Sequence, residues 1–151
     1  MTKYDRLGRT EMLAQAARDR RRRDMTALQE LLAKVEAGVK YETMGHTLLC
    51  QKAFPKPEDF DGSREAYANS NAQLAVLAWR NGSLDAAKAL HKAVLLGYYV
   101  AEMGNNSKSM GWSVRIVNTE GDYQSGIGGS NLARAWLIAI IKALIAQEAT
   151  T

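Results

Sequence analysis

Apolar residues recur at helical spacing in four stretches of the chain and alternate with polar ones in two shorter runs. In the first stretch, neither proline nor glycine occurs from Thr10 to Ala37, and Ala, Leu, Glu, Arg and Gln dominate, all good helix formers. Thr10 is placed to cap this helix, with Glu11 in its first turn. The apolar pattern has two parts: a thin stripe of Met12, Leu13, Ala16 and Ala17, and a cleaner one of Met25, Leu28, Leu31, Leu32 and Val35. Gly38 supplies the stop. The first part predicts a projecting helical arm over 1–24, and the second a helix packed on the body of a single domain over 25–151. An arm with a thin apolar stripe suits pairing with a symmetry mate, so a homo-oligomer is expected.

Residues 39–62 carry no clear period. Val39 to Thr43 and Thr47 to Cys50 read as short strands or irregular chain, and Pro55 and Pro57 force extended or turned backbone. Ser63 can cap a second helical stretch, in which Tyr67, Leu74, Leu77 and Ala78 share a face closed by Asn81 and Gly82. Ser83, with Asp85 behind it, caps a third, whose apolar face is Ala87, Leu90, Val94 and Leu95, ending at Gly97.

The period then shortens to two. Tyr98 to Met103 and Trp112 to Val117 are β-type runs flanking a turn-rich segment from Gly104 to Gly111, which predicts an antiparallel hairpin. On its second strand Trp112, Val114 and Ile116 point one way, and Ser113 and Arg115 the other. Asn118 to Gly129 reads as a loop into a last helix capped by Ser130 or Asn131. From Leu132 to Ile145 that helix is apolar on nearly every side, so it must be covered all round. The expected fold is α/β of the α+β kind: helices packed on a small antiparallel sheet with a central hairpin, plus the N-terminal arm.

Composition narrows the function classes. A chain of 151 residues with 46% hydrophobic and 24% charged residues can bury a core unaided. A single cysteine, Cys50, forms no internal disulfide, the N-terminus lacks an apolar leader, and the longest apolar segment carries Arg134 and Lys142. A cytoplasmic protein with no membrane partner is expected. The net charge of +4 comes mostly from one run, Arg18, Arg20, Arg21, Arg22 and Arg23. Such a run either holds nucleic acid through phosphate contacts or is a solvated helix face, and no aromatic residue interleaves with it.

Catalytic and metal chemistry find little footing. His46 and His91 are the only histidines, and His91 sits beside an apolar helix face as a rim or hydrogen-bonded residue. Cys50 and His46 are four apart, but a nucleophile also needs an orienting group and an oxyanion site. Glu58, Asp59 and Asp61 form an acidic loop without the glycine and ligand spacing of a calcium loop. Trp79 and Trp136 read as core. No cofactor is expected, and the chain reads as non-enzymatic.

The best binding candidate is the glycine-rich segment entering the last helix, Gly128, Gly129, Ser130 and Asn131. Free amides and the positive end of a helix can hold a phosphate or carboxylate there. Arg115, Lys108, Trp112 and Tyr98 on the neighbouring hairpin are the groups expected to complete a pocket for an anion with a ring.

The segments Ser83–Ala87, Val94–Tyr98, Gly111–Val114 and Leu132–Ala139, with Leu31–Ala37 before them, resemble the small α-β-α sandwich domain of phages and prophages over roughly residues 26–148. Leu96 and Tyr98 stand where that family often carries Pro and Trp. The resemblance implies the fold and a phage origin, hence a host-cell cytoplasm, and transfers no active site. Three functions stay open: a phage-encoded protein sequestering a small anionic ligand such as a nucleotide immune signal, a nucleic-acid or protein interaction module acting through the arginine run, and a minor virion or assembly component.

Overall fold

Asp24 adopts extended backbone, and its carboxylate accepts a hydrogen bond from the Ala27 amide at 3.1 Å. Helix α1 (Met25–Glu36) therefore starts there. The single helix expected from Thr10 to Ala37 is interrupted, because the Asp side chain competes for the backbone donors that would continue it. The computed structural model describes residues 24–56, 60, 62–106 and 111–149, together with residues 8, 10, 11, 13 and 14. Those five are helical, so Thr10 lies within a helix and does not cap it. The arginine run and Lys108 lie outside the described residues. Gly38, with φ at +76°, ends α1 in the left-handed conformation expected of a glycine stop.

The segment without a clear period is irregular from Val39 to Thr43 and then forms a helix, α2 (Met44–Ala53), where Thr47 to Cys50 reads as strand or irregular chain. Its buried residues are Leu49, Cys50 and Ala53, while Met44 and Leu48 are exposed, so its apolar stripe is too narrow to announce itself. The next helical stretch is two helices, α3 (Arg64–Ala68) and α4 (Asn71–Asn81), broken where Ser70 accepts from the Gln73 amide. The buried face of α4 is Ala72, Ala75, Val76, Ala78 and Trp79. The expected face fails at Tyr67, which is exposed, and at Leu74 and Leu77, which are only half-buried. Helix α5 (Leu84–Val94) has the Ser83 cap and the apolar face expected of it.

The hairpin is present as β1 (Tyr98–Asn106) and β2 (Gly111–Asn118), antiparallel, with a bulge between Val100 and Glu102. The stretch that reads as a loop contains a third strand, β3 (Tyr123–Ile127), antiparallel to β2, giving the order β1-β2-β3. The result is an α+β fold of two layers. Helix α6 (Leu132–Ala149) lies under β2 and β3 and is flanked by α1, α4 and α5. Its residues from Ala135 to Ile141 are all buried, as an all-round apolar helix requires. Buried side chains from α1, α2, α4, α5, β2 and α6 form one core. No helix among the described residues is long and apolar enough to cross a membrane.

Two glycines set the distance between the layers. A Cβ at Gly126 of β3 would stand 1.9 Å from the Ala135 carbonyl oxygen and 2.7 Å from the Ala139 amide nitrogen. A Cβ at Gly128 would stand 2.4 Å from the Asn131 carbonyl oxygen and 2.5 Å from the Ala135 amide nitrogen. These neighbours are backbone atoms of the helix and its cap, so the strand itself would have to move to admit a side chain. Gly126→Ala is expected to cost about 3 kcal/mol, near the top of the usual overpacking range, and to lower Tm by roughly 10 °C. Gly104→Ala, where a Cβ would meet nothing within 4 Å, serves as the control and should shift Tm by no more than about 2 °C. Equal effects in a thermal melt would contradict the close seating of β3.

Candidate functional site

The glycine-rich segment before α6 is tied to the rest of the fold by its own backbone. The Gly128 amide donates to the Trp112 carbonyl at 3.0 Å, and the Trp112 amide donates to the Gly129 carbonyl at 2.7 Å. Asn131 is the cap: its side-chain oxygen accepts from the Arg134 amide at 3.0 Å, while its own amide donates to the Gly128 carbonyl. The Gly128 and Asn131 amides are thus spent on the protein. Gly128 serves the close approach to the helix, and Gly129 turns the chain at a φ of +60°.

Only part of the expected pocket comes together. Trp112 is half-buried and joined through its backbone to Gly128 and Gly129. Tyr98, paired with Asn118, shares the inner face of the sheet with Val114 and Ile116 but lies at the far end of β2 from Trp112. Arg115 is on the outer face, with its guanidinium 2.9 Å from the Glu102 carboxylate and 5.7 Å from the centre of the Tyr123 ring. Tyr98 and Arg115 therefore face opposite sides of the sheet. Ser130 and Gly129 are exposed at the turn.

A different site is built by α2, α3 and α4. Thr47 and Gln51 from α2, Lys56 just beyond it, Arg64 and Tyr67 from α3, and Ser70, Gln73 and Val76 around the start of α4 line a cleft of about 290 Å³. Its walls follow from local chemistry. The Ser70 hydroxyl donates to the Tyr67 carbonyl at 2.9 Å and accepts from the Gln73 amide, turning the chain sharply between α3 and α4. Phe60 meets Tyr67 edge to face at 4.8 Å. Lys56 Nζ donates to the Tyr67 hydroxyl at 2.9 Å and lies 4.6 Å from the centre of that ring, so one cation is held on an aromatic wall. Neither Lys56 nor Arg64 forms an ion pair with a carboxylate among the described residues. Two cations, two side-chain amides and an aromatic ring can bind an anionic group attached to a planar body. Little in the sequence announces this cleft, since its residues are scattered over the stretch with the weakest periodicity.

The remaining candidates are structural. Trp136 Nε1–H donates to His91 Nδ1 at 3.0 Å. Since indole is only a donor, the His91 proton sits on Nε2, which donates to the Tyr98 carbonyl at 3.0 Å. His91 is thus the hydrogen-bonded residue expected, bridging α5, β1 and α6. Trp79 is buried and donates to the Val39 carbonyl at 2.8 Å, with Tyr41 and His46 packed on its ring. The Glu42 amide donates to His46 Nδ1 at 3.2 Å. Among the described residues no group of three His, Cys, Asp or Glu stands ready for a metal. The acidic residues Glu58, Asp59 and Asp61 lie outside the described residues. No protein-family model, curated protein or solved structure matches the chain.

Burial pushes the Cys50 thiol up to about 12. It stays protonated and closed to attack, the reverse of what a nucleophile requires. Iodoacetamide at pH 8 should leave Cys50 unmodified in the folded protein and label it fully in denaturant, read by intact mass. The unfolded thiol ionises near its ordinary value of 9.0, so this contribution to stability is complete below pH 9 and lost as pH rises toward 12. Rapid labelling of the native protein would contradict the burial.

Proposed function

We propose that this chain is a binding protein that captures a small anionic ligand with an aromatic or heterocyclic body in the cleft between α2, α3 and α4. The observation that carries this reading is the pair of cations, Lys56 and Arg64, lining one cleft beside Tyr67. Arg64 offers a fork for an oxyanion, Lys56 a point charge, and Tyr67 a stacking surface. Gln51 and Gln73 supply donors and acceptors for the ring edge. Nucleotides have this chemistry. Under the phage resemblance, the ligand would be a nucleotide signal of host defence, removed by sequestration without chemical change.

Ligand at about 100 times its Kd stabilises the folded state by about 2.7 kcal/mol, which for a chain of this size raises Tm by roughly 5–10 °C. A thermal-shift panel of nucleoside monophosphates, cyclic mono- and dinucleotides and inorganic phosphate is expected to produce such a rise for at least one nucleotide. Lys56→Ala with Arg64→Ala should abolish it. No shift across the panel, or a shift untouched by the double substitution, would overturn the assignment.

A further inference from the structure

Thr47 lines the cleft from α2, and its hydroxyl is hydrogen-bonded to a group behind the wall, the hydroxyl of Tyr41. Tyr41 belongs to the irregular chain between α1 and α2, and aromatic contacts hold its ring. That ring stands edge-on to Trp79 of α4, with centres 5.4 Å apart, and the Arg80 guanidinium carbon lies 5.8 Å from its centre. Trp79 is buried and is itself fixed by its bond to the Val39 carbonyl. His46, the residue before Thr47 on α2, packs on the same indole at 4.9 Å. One aromatic cluster thus ties the α2 wall of the cleft to α4, which supplies Gln73 and Val76 to the lining.

The direction of the Tyr41–Thr47 bond decides what the cleft is offered. Each hydroxyl has one proton, and the phenol, as the more acidic of the two, is the better donor. Burial holds the Tyr41 hydroxyl above its ordinary pKa, so it keeps that proton at neutral pH. With Tyr41 donating, Thr47 Oγ1 accepts from the cluster and its own proton is left for another acceptor. A threonine inside a helix often turns its hydroxyl back to the carbonyl four residues earlier, here that of Thr43. The Thr47 hydroxyl meets Tyr41 instead. We infer that Tyr41 is a positioning residue, holding the Thr47 hydroxyl so that its proton is offered to an anionic oxygen of the ligand. The inference rests on the cleft being the ligand site. Thr47 then adds a directional donor to the charges of Lys56 and Arg64, fixed in place before a ligand arrives.

Calorimetric titration of the full chain with AMP, GMP, CMP and UMP, their 3′,5′-cyclic forms, cyclic di-AMP and cyclic di-GMP identifies the tightest-bound nucleotide. Its binding must be lost in Lys56→Ala with Arg64→Ala. For that nucleotide Thr47→Val, which keeps the shape and removes the hydroxyl, is expected to weaken binding about tenfold, the usual effect of losing a hydrogen bond to a charged group. Thr47→Ser keeps the hydroxyl and should stay within about threefold of the parent. Tyr41→Phe, which leaves the ring in its cluster, should cost about threefold to tenfold alone but less than about twofold in the Thr47→Val background. That non-additivity separates positioning from a general loosening, and near-UV circular dichroism confirms the fold of each variant. Binding that depends on Lys56 and Arg64 but is untouched by Tyr41→Phe would overturn the positioning role and leave the cleft standing. An equal cost of Tyr41→Phe with and without the Thr47 hydroxyl would do the same. No nucleotide bound through Lys56 and Arg64 would overturn the cleft as the site, and the role of Tyr41 with it.

Discussion

The fold depends on a helix with no polar side. From Ala135 to Ile141 every residue of α6 is buried, so every direction around its axis must be supplied with an apolar neighbour. Helices α1, α4 and α5 supply part of that cover, and the sheet supplies the rest. The sheet can come close enough because Gly126 and Gly128 leave no Cβ between its backbone and that of the helix. One consequence reaches the surface. Because the sheet spends its inner face on α6, its outer face keeps whatever the alternating pattern put there, and here that is two tyrosines, an isoleucine and an ion pair.

Polar groups within this frame act as fasteners. The His91 ring joins α5, β1 and α6 through two hydrogen bonds that use both of its nitrogens. Trp79 ties α4 to the chain leaving α1 through the Val39 carbonyl. Lys142, low on α6, reaches the Ser125 carbonyl at 3.0 Å and the Glu36 carboxylate at 3.6 Å, linking β3 with the end of α1. The cleft lies among α2, α3 and the start of α4, where α2 is held by Leu49, Cys50 and Ala53 in the core and α3 by its Ser63 cap and the Phe60–Tyr67 contact.

Much of the fold is legible in the sequence because its signals are local. Ser83, Gly38 and Gly82 mark helix ends through conformations and caps that need only their neighbours. The all-round apolar run of α6 states its own burial, and the alternation of β2 states its two faces. Where tertiary context decides, local pattern misleads. Helix α2 has a weak apolar stripe because only Leu49, Cys50 and Ala53 meet the core. Strand β3 is five residues long and interrupted by Gly126, which looks like loop chemistry until the helix beneath it is known. The same ambiguity extends to the entry to α6, where glycines that bring backbones together look like glycines that cradle anions. The cleft is the reverse case: Lys56, Arg64 and Tyr67 follow no recognisable spacing, and only the fold of α2 to α4 places them together.

Native-state hydrogen exchange, resolved by residue, tests the organising role of α6 most directly. If every other element is laid around that helix, its central amides, from Ala139 to Leu144, should exchange only through global unfolding and show the largest opening free energy in the chain. Amides of α2 and α3 should open at much lower cost. Exchange of the α6 centre ahead of α5 or β2, by local opening, would contradict the account.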